Sequence, residues 1–598
     1  MKIIRFLILV LVSNLLCYGN ELNHKKNPID DFLDILHKIE YISYSKKDFA
    51  EFLVECHKNN VPEDFGKGFG SNLNGADFSR LYLNGSIFNG VSLIGADFSH
   101  TDLSGVSFIN ADLRGANFSN ANLQGIKIKS TNLSFAKFIS ANLTDITFDQ
   151  SDISYAEFIN SDLKMTKMNN VIGLHVNFSN VKMNLSSLLN SNINYINLSD
   201  SEVNNTTFQK SNLNNANFFG VNSLKLKIQF SSLKNANIHG VEIIESDFTG
   251  SNLSNAYLTS SVIIDSNCSK TNLSNTQISY VNGDNSSFAQ SVLSGSKIKY
   301  FYASKVSFQN ADLSGVDFSF SELNQIDISD SDVRYGKFYN TKIVDSNMSD
   351  SFFDYSLFAY TKIENTNLSA ASMYKIKIQD SQIHDSKLSK LNINSSQVKN
   401  SVFVKLMADK SIWSNLEVAN SNFIESNFSS SLFQKNIFKK TGFFFSNFNN
   451  SLIDNIFFDS SSLYAGLVVD AYLINCKFNH SILIDNKGQE KISNLDGAIT
   501  SIEDLQKEIL RDKKFDVNYA YFEFKNMNLE NTDFSNSILS RAKFINVNLN
   551  KANFGETDLR YAIFNNSSLV DTNLLNSDLT NSKFFKSDLK SAILKSSN

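Results

Sequence analysis

The sequence predicts an all-β solenoid, a chain wound into stacked coils around an apolar interior. Every fifth residue from Leu73 to Leu483 is apolar, except Gly173, Ser223 and Gly283, and the phase of this repeat never shifts. The chain has 598 residues but only two prolines, Pro28 and Pro62, both ahead of this repeat. A sheet that runs along the whole chain would exclude proline, because proline lacks the N–H group that a sheet ladder needs.

A second position of each five repeats as well. Two residues before each apolar centre lies a small residue, such as Ala111 or Ala121, and farther along the chain it is mostly serine, as at Ser346 and Ser351. Aspartate or asparagine often stands between the two, as in Ala-Asn-Leu at 141–143. Neither a helix nor a simple strand has a period of five. We therefore expect one large and one small side chain of each five to point inward.

This pattern resembles the pentapeptide-repeat family, whose repeat reads A(D/N)LXX, over residues 69–484 and 518–598. The resemblance implies a right-handed quadrilateral β-helix with five residues on each side and twenty in each coil. Residues i and i+20 should then lie one strand spacing apart, ~4.8 Å, with about 21 coils in the first block and about 4 in the second. The spacing alone would permit other solenoids.

The repeat also predicts the places of glycine, phenylalanine and cysteine residues in the coil. Glycines lie two places after a centre, where a turn with positive φ suits glycine: Gly75, Gly85, Gly90, Gly95, Gly105, Gly115 and Gly125. The phenylalanine centres between Phe423 and Phe458 predict a stacked aromatic core. Cys268 is a centre and Cys476 occupies the small position, so both should be buried. They lie about ten coils, or ~50 Å, apart, and a disulfide between them is excluded.

Residues 1–19 resemble a secretory signal. Lys2 and Arg5 precede an apolar stretch, and cleavage before Asn20 fits the small residues there. A lipidated Cys17 or a retained anchor stays open. With a cleaved signal, the mature protein would be exported, without stable membrane insertion.

Residues 20–68 predict a helical N-terminal cap over the first coil. Asn27-Pro28 is a typical helix start, and Ser45 with Asp48 forms a capping-box pattern ahead of a second helix. The glycine-rich stretch 66–70 is interpreted as a linker into the first coil. A partner-binding module in 20–68 is the alternative.

Residues 485–517 break the repeat, and the centres resume at Phe524 with the phase shifted by one residue. Residues 501–513 predict a charged helix, so we expect a loop-helix insertion, or alternatively a docking element. The second repeat block, 518–598, ends after the centre Leu594 without a cap pattern. This arrangement suggests a homodimer formed through the C-terminal coils.

The sequence predicts no catalytic, cofactor-binding or metal-binding residues, and no cofactor. The eight histidines lack metal-ligand spacing, and neither an H-E-x-x-H nor a G-x-S-x-G motif is present. The many serines are explained by the small inward position. We therefore expect a protein that is not an enzyme.

The charge argues against a nucleic-acid mimic. Residues 69–484 hold 34 acidic and 31 basic residues, a net charge of −3, whereas B-DNA of ~100 Å carries ~60 charges. The most acidic residues are five apart and should ring one coil rather than line one side: Asp312, Asp317, Glu322, Asp327 and Asp332. One coil further on, Lys337 and Lys342 should neutralise two of the sides.

The sequence favours an exported, non-enzymatic, rod-like scaffold or protein-binding protein. It would be periplasmic, on the cell surface or secreted as an effector, and the composition is typical of an AT-rich bacterial genome. We expect a protein partner and no nucleic acid. The alternative is a DNA-mimicking inhibitor that binds a topoisomerase such as gyrase.

Overall fold

The computed structural model describes residues 44–59, 62–489, 495, 497–512 and 517–597. The signal sequence predicted at 1–19 and the helix start at Asn27-Pro28 lie outside the described residues. The chain divides into two compact units, Met1–Glu202 and Val203–Asn598, and each is described by itself.

The described residues contain three helices. In the first unit, α1 spans Lys46–Asn59 and α2 spans Phe65–Phe69; in the second unit, α3 spans Ile502–Asp512. None of the three has the length and apolar character that a membrane span requires.

A reciprocal cap begins α1, as the sequence predicts. The backbone N–H of Ser45 donates to a carboxylate oxygen of Asp48 at 2.6 Å, and the backbone N–H of Asp48 donates to the Ser45 hydroxyl at 3.3 Å. The hydrogen bonds from Ser45 lower the pKa of the Asp48 carboxyl. They satisfy N–H groups that have no partner inside the helix.

We expect Ser45→Ala to destabilise α1 by about 1 kcal/mol, because the N-terminal turn loses its side-chain acceptor. Native-state amide hydrogen exchange of α1 measures this effect. Ser45→Thr keeps the hydroxyl and should exchange like the wild type, and equal exchange in all three proteins would contradict the role of the cap.

The described residues of the first unit contain seven three-residue strands, which pair in parallel with a register of twenty residues, for example Phe108 with Ile128. Strands β1, β2, β3, β4 and β6 form one ladder, and β5 pairs with β7. Their bounds are β1 Ser107–Ile109, β2 Lys127–Lys129, β3 Thr147–Asp149, β4 Lys167–Asn169, β5 Ile172–Leu174, β6 Ser187–Leu189 and β7 Asn192–Asn194.

The second unit contains the remaining strands, which are also parallel and are mostly three residues long. Their bounds are β8 Thr207–Gln209, β9 Asn222–Leu224, β10 Lys227–Gln229, β11 Glu242–Ile244, β12 Val262–Ile264, β13 Asn282–Asp284, β14 Tyr302–Ser304, β15 Glu322–Asn324, β16 Lys337–Tyr339, β17 Lys342–Val344, β18 Leu357–Ala359, β19 Lys362–Glu364, β20 Ser372–Tyr374, β21 Lys377–Gln379, β22 Gln382–His384, β23 Asn392–Asn394, β24 Gln397–Lys399, β25 Val402–Val404, β26 Ile412–Ser414, β27 Glu417–Ala419, β28 Asn422–Ile424, β29 Leu432–Gln434, β30 Ile437–Lys439, β31 Gly442–Phe444, β32 Leu452–Asp454, β33 Phe457–Asp459, β34 Ser462–Tyr464, β35 Tyr472–Ile474, β36 Lys477–Asn479, β37 Ser481–Ile484, β38 Ala498–Ile499, β39 Glu523–Lys525, β40 Lys543–Ile545, β41 Ile563–Asn565 and β42 Lys583–Phe585.

The four sides of the coils in the first repeat block of this unit are numbered here in chain order. Side 1 holds the fifteen-stranded sheet from β9 to β38, and side 2 begins with the pair β8 and β10. Side 3 holds the six-stranded sheet from β20 to β35, and side 4 the eight-stranded sheet from β16 to β36. Single bridges with the same register continue the sides between these ladders. This arrangement confirms the predicted parallel β-solenoid.

Two of every five residues face the interior. Outside the last coil, the centres and the small residues two places before them are buried, whereas the other three positions are mostly partly or fully exposed. Outward residues such as Phe444 are buried where the second repeat block covers them. Phe423 and Phe443, one coil apart, stack with ring centroids 4.9 Å apart and an interplanar angle of 8°. The predicted aromatic core is therefore confirmed.

The residue two places after most centres has positive φ. Gly75 and Gly85 adopt φ of 69° and 77°, as the sequence predicts for the glycines there. Many other repeats place asparagine, aspartate, lysine or tyrosine at this turn, for example Asn310 with φ of 57° and Tyr335 with φ of 62°. The ladder of turn hydrogen bonds, such as Asn310 N–H to the Ser329 carbonyl at 3.0 Å, holds this conformation.

Aromatic rings cover the first coil of the first unit. Phe49 of α1 lies 4.4 Å from Phe78, and Phe65 of α2 lies 4.4 Å from Phe88, between ring centroids. The linker predicted at 66–70 is wrong in part, since α2 extends to Phe69. A Cβ atom on Gly68 would lie 2.6 Å from the Phe52 ring, so this glycine allows the two helices to pack closely.

The second repeat block begins beside the first block and forms a sheet of its own, β39 to β42. Its first coil contacts the outer surface of side 1, where Phe444 and Tyr464 lie 5.5 Å from Tyr521 and 4.8 Å from Phe522, respectively. The predicted helix in the insertion is confirmed as α3. Its Leu505 belongs to the buried apolar cluster that includes Phe522. The second block therefore does not extend the side ladders of the first.

A buried asparagine fixes the position of this contact. The Asn518 side-chain amide donates to the Asn422 side-chain oxygen at 2.6 Å and to the Lys440 carbonyl at 3.1 Å. The Ser462 hydroxyl donates to the Asn518 carbonyl at 2.5 Å, and the Asn518 N–H donates to the Ser460 carbonyl at 3.2 Å. Asn518 is completely buried, so these bonds replace its contact with water.

Candidate binding surface

The inward serines and threonines are occupied by structural hydrogen bonds. The Ser351 hydroxyl donates to the Ile328 carbonyl at 2.6 Å and accepts from the Ser331 N–H at 3.2 Å. The Thr131 hydroxyl donates to the Phe108 carbonyl at 2.7 Å in the same way. These groups join neighbouring coils from inside, which explains why the small position accepts hydroxyl side chains.

The cysteine thiols of the second unit lie in the interior, as the repeat predicts. Burial raises the pKa of Cys268 to about 12 and that of Cys476 to about 11. Both are free thiols. A thiol that is buried and protonated at neutral pH is a poor nucleophile.

We expect Cys268 and Cys476 to resist a thiol-specific reagent at pH 8 in the folded protein. Both thiols are buried and their pKa values lie well above this pH, so little thiolate is present. Absorbance after addition of an aromatic disulfide reagent measures the reaction, with the protein in guanidinium chloride as the control. Rapid labelling of the folded C17S/C56S variant, in which Cys268 and Cys476 are the two remaining thiols, would contradict this prediction.

The predicted ring of acidic residues is present. Register places Asp317 between Lys297 and Lys337 on side 4, and Glu322 beside Lys342 on side 1, so the two predicted lysines lie one coil from these carboxylates. The closest cation to Asp317 is Lys299, whose ammonium lies 3.2 Å from its carboxylate.

Asp317 is ionised in this setting. Burial alone would raise the pKa of its carboxyl, but hydrogen bonds from Ser319 and Lys299 and the charge of Lys299 lower it below the usual value. Within the part of the chain that the structure describes, no three His, Cys, Asp or Glu side chains are grouped as ligands for a metal ion.

Aromatic rows run along the outside of the coils. In the first unit, Phe135 and Tyr155 stack at 4.8 Å with an interplanar angle of 2°, and His175 and Tyr195 stack at 4.7 Å with an angle of 25°. All four residues occupy the turn position two places after a centre. Burial in this row raises the pKa of Tyr155 and lowers the pKa of His175.

The second unit carries a larger set of outer rings at the two edges of side 4. Tyr280, Tyr300 and Phe320 stack in one row, with ring centroids 4.6 Å and 5.1 Å apart. Tyr335 and Tyr355 stack at 4.9 Å along the edge shared with side 3. We define the aromatic face as side 4 between and including these two edges, with the rings Tyr280, Tyr300, Phe320, Tyr335, Tyr339, Tyr355 and Tyr360 and the lysines Lys297, Lys299, Lys337, Lys375 and Lys377.

The aromatic face is basic, although the whole chain has a net charge of −5. Its five lysines are accompanied by two aspartates, Asp317 and Asp380, which gives the face a net charge of +3. Lys297, Lys337 and Lys377 are exposed and occupy one column at steps of two coils. The column thus presents repeated positive charges between two rows of rings.

Stacking leaves mainly the ring edges accessible. Tyr300 lies between Tyr280 and Phe320, so both of its faces are covered. Tyr355 is covered by Tyr335 on one side, and the Lys375 ammonium lies 5.6 Å from its ring centroid. The rings are still exposed as side chains: Tyr280 by 61%, Tyr335 by 57% and Tyr360 by 52%.

Neither the aromatic face nor the surface that contacts the second block was predicted from the sequence. Each of these two surfaces could be found in the sequence by comparing the outward residues that lie twenty positions apart. Tyrosine or phenylalanine recurs at that interval at 280, 300 and 320. Apolar residues likewise recur at the outward position after the centre in 404, 424, 444, 464 and 484.

Two family models match the chain. The model described as a pentapeptide repeat region matches residues 70–138 and 101–178. The model described as pentapeptide repeats in eight copies matches residues 244–279, 523–555, 537–574 and 552–590. No curated protein matches the chain significantly.

Several solved structures are similar to the chain. A pentapeptide repeat protein of the Arabidopsis thaliana thylakoid lumen is 31% identical over 16% of this chain and 68% of its own, with a TM-score of 0.16. HetL of the cyanobacterium Nostoc is 15% identical over 50% of this chain and 90% of its own, with a TM-score of 0.14. QnrB1, a plasmid-mediated fluoroquinolone resistance protein, is 21% identical over 26% of this chain and 91% of its own, with a TM-score of 0.15.

The matched segments share the five-residue repeat described above. They lie in both repeat blocks, and there too most centres are buried and residues twenty apart are paired. The chain belongs to the pentapeptide-repeat family.

Proposed function

We propose that this protein is a non-enzymatic scaffold that binds a protein partner through the aromatic face. The observation that supports this function is the group of exposed rings on side 4, led by Tyr280, Tyr335 and Tyr360. Tyrosine is enriched at protein interfaces, and a large exposed apolar patch typically marks an interaction site.

The aromatic face is suited to binding because its rings are already ordered. Each row is held by stacking, as between Tyr335 and Tyr355, and lies on backbone that is hydrogen-bonded from coil to coil. A partner would therefore lose little affinity to the ordering of these side chains. A continuous parallel β-solenoid provides a regular support for such a surface.

A pull-down with the full chain tests the proposed function. We expect Y280S/Y335S/Y360S to lose at least nine tenths of the partner that wild type captures. Y82S/Y195S/Y472S is a matched control, since these three tyrosines are also exposed but lie outside the aromatic face. Equal capture by both variants, or no protein captured specifically by wild type, would overturn the proposal.

Export is part of the proposal, and it rests on the sequence of residues 1–19. Lys2, Arg5 and the apolar stretch after them support a signal sequence. Fractionation of cells that make the full chain should recover mature protein outside the cytoplasm. Exclusively cytoplasmic protein would favour the DNA-mimicking topoisomerase inhibitor instead, and a gyrase supercoiling assay would then test that function directly.

We also propose that the C-terminal coils pair two chains. Phe585, Ile593 and Leu594 are each about half exposed in this region, and a second copy would cover them. Sedimentation should show a dimer at micromolar concentration that L594D converts to a monomer. A strict monomer for the wild type would count against the pairing.

A further inference from the structure

We propose that the partner contacts the aromatic face with an acidic amphipathic helix that carries a carboxylate at every seventh residue. This inference rests on the proposed function and specifies the chemistry of its partner. The helix would lie along side 4, with its carboxylates on the lysine column and its apolar side chains against the edges of the rings.

The positive charge of the aromatic face indicates that the contacting segment of the partner is negatively charged. Lys297, Lys337 and Lys377 are exposed and repeat along one column. Asp317 lies in the same column, but its carboxylate is paired with Lys299 at 3.2 Å, so it leaves the three column lysines available. A partner with carboxylates would be attracted to this face and oriented by it.

The spacing of the lysines favours a helix. Neighbouring lysines of the column are two coils apart, which is about 9.6 Å at the usual strand spacing. Residues i and i+7 of an α-helix lie on one face about 10.5 Å apart. In an extended segment, residues on one face are about 6.6 or 13 Å apart. Of these two conformations, the α-helix presents carboxylates closer to the lysine interval.

The arrangement of the rings favours a protein over a nucleic acid or a polysaccharide. Single-stranded nucleic acids bind by stacking bases on open aromatic faces, and a sugar ring would likewise need an open face on which to lie. Here neighbouring rings cover both faces of Tyr300, and Tyr335 and Lys375 cover Tyr355. Ring edges and hydroxyl groups can still pack against apolar side chains and donate hydrogen bonds.

Leu357 contributes an apolar contact in the middle of the face. It lies in the lysine column between Lys337 and Lys377 and is half-buried. An amphipathic helix with Leu or Phe next to each glutamate would place apolar side chains over Leu357 and along the rings. The column thus carries one apolar side chain between two lysines, which a leucine between two glutamates of the helix would contact.

Fluorescence anisotropy with two labelled synthetic peptides tests this inference. Both contain 21 residues of identical composition, with leucines, alanines and three glutamates, which are spaced by seven in one peptide and by five in the other. We expect the first peptide to bind the full-length protein at least tenfold more tightly. Its affinity should fall as salt is raised from 50 to 300 mM, because exposed charge pairs are screened.

Charge reversal provides the matched comparison. K297E/K337E/K377E should weaken binding of the first peptide at least tenfold, whereas K387E/K390E/K410E should change it less than twofold. The control lysines are also exposed but belong to side 2, opposite the aromatic face. Circular dichroism establishes that each variant folds, and the salt series on wild type remains decisive if one does not.

Several results would overturn the inference. These are equal binding of the two peptides, no binding of the first peptide at 1 mM, or equal effects of the two charge reversals. Tighter binding of a single-stranded oligonucleotide or a sulfated polysaccharide would also overturn it. If the tyrosine-dependent pull-down succeeds while these tests fail, the proposed function stands and only the acidic helix is rejected.

Discussion

Replacing Phe443 by alanine is expected to lower the free energy of unfolding of the surrounding coils by about 3–5 kcal/mol. The Phe443 ring is buried and stacks on Phe423, with centroids 4.9 Å apart, and it meets Phe438 edge-on at 5.1 Å. Alanine would leave a cavity in a closely packed interior and remove these ring contacts.

Amide hydrogen exchange measures the effect of Phe443→Ala coil by coil. Each coil contacts only its neighbours, so faster exchange should centre on residue 443 and decline along the block. Phe352→Ala is the control, because this ring is 52% exposed, and it should change stability by less than about 0.5 kcal/mol. Equal effects of the two substitutions would contradict the predicted interior.

Replacing Asn518 by aspartate is expected to weaken the contact between the two repeat blocks by about 2–4 kcal/mol. Aspartate has nearly the same shape but cannot donate to the Asn422 side-chain oxygen or the Lys440 carbonyl. Each buried acceptor left unpaired costs about 1–3 kcal/mol, and a buried charge adds to this cost.

Limited proteolysis within residues 485–517 measures the effect of Asn518→Asp. Cleavage there should become faster while the coils of the first block remain protected. Asn528→Asp is the matched control, since Asn528 is an exposed residue of the second block. If the two variants were cleaved at the same rate, Asn518 would not determine how the second block is held.

The repeat predicted the interior of the solenoid well. The centres, the small position and the glycine turns all follow from one period of five, because stacked coils give each phase the same environment. The capping box at Ser45 and the helix at Ile502–Asp512 were also predictable. Their signals are local: a hydroxyl and a carboxylate three residues apart, and apolar residues at helical spacing.

Other features were missed because their signals are not local. The glycines of 66–70 suggested a linker, but Gly68 allows close packing of α2 against Phe52. The aromatic face needs Tyr280, Tyr300 and Phe320 to be read together, twenty residues apart. Such residues lie outside the repeat definition, which assigns no role to the outward positions.

The sequence by itself determined the coil. One apolar residue recurs in every five without a shift of phase, and these residues can be buried together only if the chain is wound into coils. It also identified the residues that fill the interior. The tertiary structure alone decided where the second block lies: beside Phe444 and Tyr464, with Asn518 bonded to residues as many as 96 positions away. The physical reason is that interior packing repeats with the local sequence, whereas contact between blocks depends on two outer surfaces that meet only after both have folded.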